Sequence, residues 1–84
     1  MKVKAEVYLL VLNCQKITTK KIFKYLEFEN PAEVHNALRD LNGWEIEDVG
    51  NAWIPGTTPR FHPFDFLQPK DCDKIADTIL GAKK

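Results

Sequence analysis

Residues 18–42 read TTKKIFKYLEFENPAEVHNALRDLN and contain two helix signals separated by a break. Thr18 or Thr19 can cap the first, because a short polar side chain satisfies an N–H that a helix start leaves open. Thr19, Ile22, Phe23 and Leu26 then recur at i, i+3, i+4 and i+7, the spacing of one helical face, and Lys20, Lys21, Lys24 and Glu27 take the outer side. Phe28-Glu29-Asn30-Pro31 interrupts that pattern and starts another. Asn30 is a natural cap, Pro31 occupies the first helical position where its missing N–H costs nothing, and Glu33 completes a capping box. Val34, Ala37, Leu38 and Leu41 form the buried stripe of this second helix, and Asn42-Gly43 supplies a left-handed stop.

Upstream, residues 3–14 read two ways. Lys2 to Val7 alternates like a strand, while Val3, Val7, Leu10 and Cys14 share a helical stripe. Tyr8 to Leu12 is apolar all round, so the element is central in either case. Downstream, Trp44 to Val49 and Ala52 to Pro55 read as short strands joined at Gly50-Asn51, where glycine takes the positive φ of a tight reversal. Trp44 and Ile46 are expected to face the core. Pro55 to Pro59 is a loop, and Arg60 to Leu67 is irregular or an edge strand because Pro63 forbids a central one. Cys72, Ile75, Ala76, Ile79 and Leu80 give residues 70–82 the stripe of an amphipathic closing helix.

An apolar first element, a helix, a turn, a second helix and a tight hairpin resemble a winged helix-turn-helix domain. The residues that carry the resemblance are Ile17-Thr18-Thr19, Ile22, Phe23 and Leu26, then Phe28 in the turn, Val34, Leu38 and Leu41, and Gly43-Trp44-Glu45-Ile46. It covers about residues 5–55, leaving 56–69 as an aromatic, proline-rich loop within one domain of 84 residues. The turn from Leu26 to Val34 is about one residue longer than the family pattern, and bulky Phe23 stands where a small residue is common. The fold class expected is α+β, a winged helix-turn-helix with a C-terminal amphipathic helix. The alternative is a small antiparallel sheet including an N-terminal strand, covered by helices on one face.

Twelve basic and twelve acidic residues cancel, which speaks against holding nucleic acid by bulk charge. The distribution is uneven: residues 1–26 hold six lysines against Glu6, net +5, and residues 27–48 hold seven acids against Arg39, net −6. Packing of the two stretches against each other would cancel the charges in space. Cys14 and Cys72 are too few for a disulfide framework and are expected as buried thiols. The apolar run Val7 to Leu12 is too short to span a bilayer, and Glu6 and Asn13 spoil its faint likeness to a lipoprotein signal ending at Cys14, so a cytoplasmic protein is expected.

The resemblance implies that the second helix enters the major groove of duplex DNA. His35, Asn36 and Arg39 would then reach bases, Asn36 suiting adenine and Arg39 guanine, and Lys16, Lys20, Lys21 and Lys24 would contact phosphates. Glu33 and Asp40 count against it. The lysines have an argument of their own: Lys20 and Lys21 stand in the first turn of a helix, where cations are unfavourable, so a role in holding an anion is a reason for them. Trp53, Phe61, Phe64 and Phe66 suggest instead a protein-binding or homodimer surface, with Trp53 on the outer side of the hairpin. Cys14, Cys72, His35 and His62 lack metal-site spacing, and no phosphate loop, nucleophile elbow or HExxH motif is present, so no metal, cofactor or catalytic activity is expected.

Overall fold

The structure is a computed structural model that describes residues 2–68 together with 70 and 73. The described residues are α+β: helices α1 (Lys2–Cys14), α2 (Thr19–Tyr25) and α3 (Pro31–Leu41), strands β1 (Ile46–Asp48) and β2 (Trp53–Pro55), and a 3₁₀ turn, Pro63–Asp65. The first element is a helix, so the N-terminal strand of the alternative is absent. The closing helix expected over 70–82 falls almost wholly outside the described residues.

Helix α1 is the centre of the molecule because, apart from Glu6, the residues on both of its sides from Ala5 to Val11 are apolar. Ala5 through Val11 are all buried, and the helix packs against α3, β2 and the 3₁₀ turn. It ends at Gln15, whose φ of 64° lies in the left-handed region while its N–H donates to the carbonyl of Val11 at 2.8 Å. Ile17 then exchanges two main-chain hydrogen bonds with Trp53, at 3.0 and 2.7 Å, as an isolated antiparallel bridge.

Thr18 caps α2 by accepting from the N–H of Lys21 at 3.3 Å, and Ile22 and Leu26 enter the core. Asn30 caps α3 with Pro31 at its start, but its side chain accepts from the N–H of Ala32 at 2.9 Å. Glu33 instead donates its N–H to the main-chain carbonyl of Asn30, at 3.0 Å, so an Asx turn replaces the expected capping box. Val34, Ala37, Leu38 and Leu41 are buried as their spacing requires, and Gly43 at φ 88° reverses the chain.

In the hairpin, Ile46 opposes Pro55 and Asp48 opposes Trp53. Gly50 has φ 100°, and Val49 donates to Ala52 at 2.9 Å, so Gly50-Asn51 closes the ribbon as a two-residue turn. The other side of β1 is occupied by the end of α3: Gly43 donates to the carbonyl of Ile46 at 2.8 Å, and the side chain of Asn42 accepts from the N–H of Asp48 at 3.4 Å. On the other side of β2, Trp53 is bonded to Ile17, so β2 is the middle of the arrangement. Pro55 costs no ladder bond, because the flanking pairs Glu45 with Gly56 and Val49 with Ala52 place the bonded position at Glu47 and Ile54.

Two expectations about this ribbon are corrected. Trp44 is 45% exposed instead of facing the core, because residues 43–45 form a turn and the alternation that joins Trp44 to Ile46 holds only in extended chain. Trp53 is 8% exposed instead of lying outside. With the turn at Gly50-Asn51, the register puts Trp53 on the face of Ile46, which is fully buried.

Beyond β2, Gly56 donates its N–H to the carbonyl of Glu45 at 2.8 Å, and a Cβ there would overlap the carbonyl oxygen of Trp44. Replacing Gly56 by Ala is expected to cost about 1–3 kcal/mol by forcing backbone apart, measured by urea denaturation. Gln15→Gly is expected to stabilise by about 0.5–1 kcal/mol in the same assay, since glycine removes the left-handed penalty at the end of α1 but loses more freedom on folding.

Candidate nucleic-acid interface

The N-terminal turn of α2 carries Lys20 and Lys21, with Lys16 before it and Lys24 one turn on, and all four are exposed. A hollow of about 240 Å³ lies between this turn and the tip of the hairpin, lined by Lys16, Ile17, Thr18, Lys21, Asn51 and Ala52. Its position follows from the bridge between Ile17 and Trp53, which brings the ribbon beside the start of α2. The indole Nε1 of Trp53 adds a hydrogen bond to Thr19 Oγ1 at 2.8 Å.

On α3, His35, Asn36 and Arg39 are exposed. At about 100° per residue, His35 and Arg39 fall on the side of α3 away from Asp40 and Glu33, with Asn36 between. Asp40 is held toward α1 by Lys4, whose Nζ lies 3.0 Å from Asp40 Oδ2. The hydrogen bond and charge of Lys4 keep the Asp40 carboxyl below its ordinary range. Glu33 shares that flank, lining a recess of about 190 Å³ with Val3, Lys4, Asn36 and Ala37. The two acids that count against a groove-facing helix therefore lie on the flank bordering α1.

A third acid of the same run is inside. Glu45 is fully buried and accepts from the main-chain N–H of Arg60, from Arg60 Nε at 3.2 Å and from Arg60 Nη2 at 2.8 Å. Burial opposes its ionisation, but the hydrogen bonds and charge of Arg60 outweigh burial and hold Glu45 below the usual carboxylate range. Arg60 Nη2 also donates to the carbonyl of Asp40 at 2.8 Å, and the guanidinium lies 4.8 Å from the Trp44 ring centroid. Sequence reasoning did not single out Glu45 or Arg60, because their pairing spans a loop and neither residue has a local pattern that announces it.

Among the expected partner-surface aromatics, Trp53 is internal and Phe61 is partly buried between Tyr8 and Phe66, in edge-to-face contacts at 5.7 and 5.4 Å. Phe64 is 57% exposed and stacks on His62, and Phe66 is also exposed. The segment expected as irregular is organised by its own cap. His62 Nδ1 accepts from Phe64 N–H at 3.2 Å, Asp65 Oδ2 accepts from His62 N–H at 3.1 Å, and Pro63 and Leu67 are buried.

Cys14 is partly buried against the core, and Cys72 lies outside the described residues. Among the described residues no group of three or more His, Cys, Asp or Glu side chains could hold a metal ion, and no helix is long and apolar enough to cross a membrane. Compared with protein-family models, curated protein sequences and solved structures, the chain finds no match in any of the three.

The Glu45–Arg60 contact gives a pH prediction with a definite sign. A carboxyl whose folded pKa lies below its unfolded value contributes stability above the unfolded value and loses it as pH falls through the folded one. Arg60→Gln is therefore expected to lower the urea midpoint at neutral pH. The gap from the unaltered protein should narrow as pH falls below the ordinary glutamate range; a gap that stays constant down to acid pH would contradict the assignment.

Proposed function

We propose that the chain is a winged-helix protein that binds duplex DNA, with α3 as the groove-reading helix. The order helix, Ile17 bridge, helix, helix, strand, turn, strand, with β2 between Ile17 and β1, supports the winged-helix assignment. The observation that carries the functional reading is the exposure of Lys16, Lys20, Lys21 and Lys24 around the start of α2 together with that of His35, Asn36 and Arg39 on α3. Four lysines supply phosphate contacts independent of sequence, and an exposed Arg and Asn have the donor and acceptor geometry to discriminate guanine and adenine edges. The ribbon contributes little to phosphate binding, because Glu47 and Asp48 flank its tip. Contact therefore rests on the helices.

A second reading is a protein-interaction module, favoured by the exposure of Phe28, Trp44, Phe64 and Phe66 in a chain of zero net charge. It predicts association with a protein or a second copy instead of DNA.

Titration of a fluorescent random duplex separates the two. Binding through four lysines is expected to weaken with salt at a log–log slope of about −3 to −4, from ~0.9 per neutralised phosphate, and replacing Lys20 and Lys21 by Ala should flatten it by about 1.8. No binding at ~100 μM protein and low salt removes the DNA reading, since non-specific binders fall below that value. Loss of self-association in sedimentation on Phe64→Ala would support the second.

A further inference from the structure

Beside the last turn of α3 lies a recess of about 310 Å³ lined by Lys4, Arg60, Phe61 and Phe66. Its walls are aromatic and held in place: Phe61 meets Phe66 edge to face at 5.4 Å and is braced on its other side by Tyr8 at 5.7 Å. Two cations border it, and among the described residues neither is saturated. Lys4 spends one of its three N–H donors on Asp40. Arg60 spends Nε and Nη2 on Glu45 and the Asp40 carbonyl, and its Nη1 has no hydrogen-bond partner among the described residues. The side chains are 33% and 46% exposed, so a solute can reach both.

Ligand sites are concave, mostly apolar, and oriented by a few polar groups, and their volumes begin near ~300 Å³. This recess is at the small end of that range, room for one ring with a short tail. Spare cationic donors beside aromatic walls select an anion with a flat apolar body. We propose that the recess binds a small aryl carboxylate, with the ring against Phe61 and Phe66 and the carboxylate on Arg60 and Lys4, and that its occupancy is transmitted to the last turn of α3. The second part follows from the far ends of the same bonds. Lys4 holds the Asp40 carboxylate and Arg60 holds the Asp40 main-chain carbonyl, so a ligand that draws either cation competes directly with the end of α3. The turn it loosens carries Arg39. The regulatory meaning rests on the DNA reading of α3, whereas the binding does not.

The test is a ¹H–¹⁵N correlation titration of the full chain with phenylacetate at neutral pH, without DNA. Saturable shifts are expected at Lys4, Arg60, Phe61 and Phe66 and also at the amides of Arg39 to Asn42, with a Kd of about 1 mM, the value reached by ligands of this size. Benzyl alcohol and phenethylammonium should bind at least about tenfold more weakly, since they lack the charge that the cations recognise. Phe66→Ala and Lys4→Gln should each weaken phenylacetate at least about fivefold, and Lys4→Gln should do so while moving the thermal midpoint by no more than a few degrees, because an exposed ion pair contributes under about 1 kcal/mol. Absence of saturable shifts up to ~20 mM, or equal binding of the alcohol, overturns the site. Shifts confined to the four lining residues overturn the link to α3. Because these readouts use no DNA, failure of the duplex titration leaves them standing, and their failure leaves the duplex titration standing.

Discussion

The two main-chain hydrogen bonds between Ile17 and Trp53 are the constraint on which the arrangement of the other elements depends. They fasten the hairpin to the segment that links α1 to α2, and the indole bond to Thr19 repeats the attachment with a side chain. A two-stranded ribbon of three residues per strand is marginal on its own. Here it is fixed on one side by Ile17 and on the other by the end of α3, while Ile46 and Trp53 add apolar area to the core around α1. The position of the lysines relative to the ribbon follows from this fastening.

Much of the helical part was legible. The caps Thr18 and Asn30, Pro31 at the start of α3, the stripe Val34, Ala37, Leu38 and Leu41, and the glycines at 43 and 50 each act through chemistry local to a few residues, and local chemistry is what a sequence displays. The first element was not decidable, because a helix buried on both sides has no polar face to give a period; its burial in the centre of the fold is the reason its pattern was uninformative. Trp53 was misplaced although the information was present: the turn at Gly50-Asn51 and an inward Ile46 together fix the register, and the register puts Trp53 inside. Trp44 was misplaced for the opposite reason, since where a strand begins depends on the turn before it.

The candidate site was legible as a set of residue types but not as an electrostatic arrangement. The acidic run from Glu27 to Asp48 counts as a net of −6 in the sequence, yet Asp40 is tied to Lys4 and Glu45 is buried and paired with the partly exposed Arg60. Lys4–Asp40 links the basic first stretch with the acidic second, the cancellation in space that the uneven distribution allowed. Glu45 is balanced by a residue outside both stretches. A buried carboxylate of this kind adds little net stability, but removing its partner is costly, so the pair acts more to fix where the chain after β2 crosses α3 than to strengthen the fold.

The bonds that Gly43 and Asn42 make to the outer side of β1 have one more consequence. An exposed strand edge is a template onto which another polypeptide can add, and here the acceptor at Ile46 and the donor at Asp48 are already spent within the chain. The ribbon is thus closed to lengthening by foreign backbone on that flank, a safeguard against polymerisation through the sheet, and any assembly this chain forms there must be made by side chains.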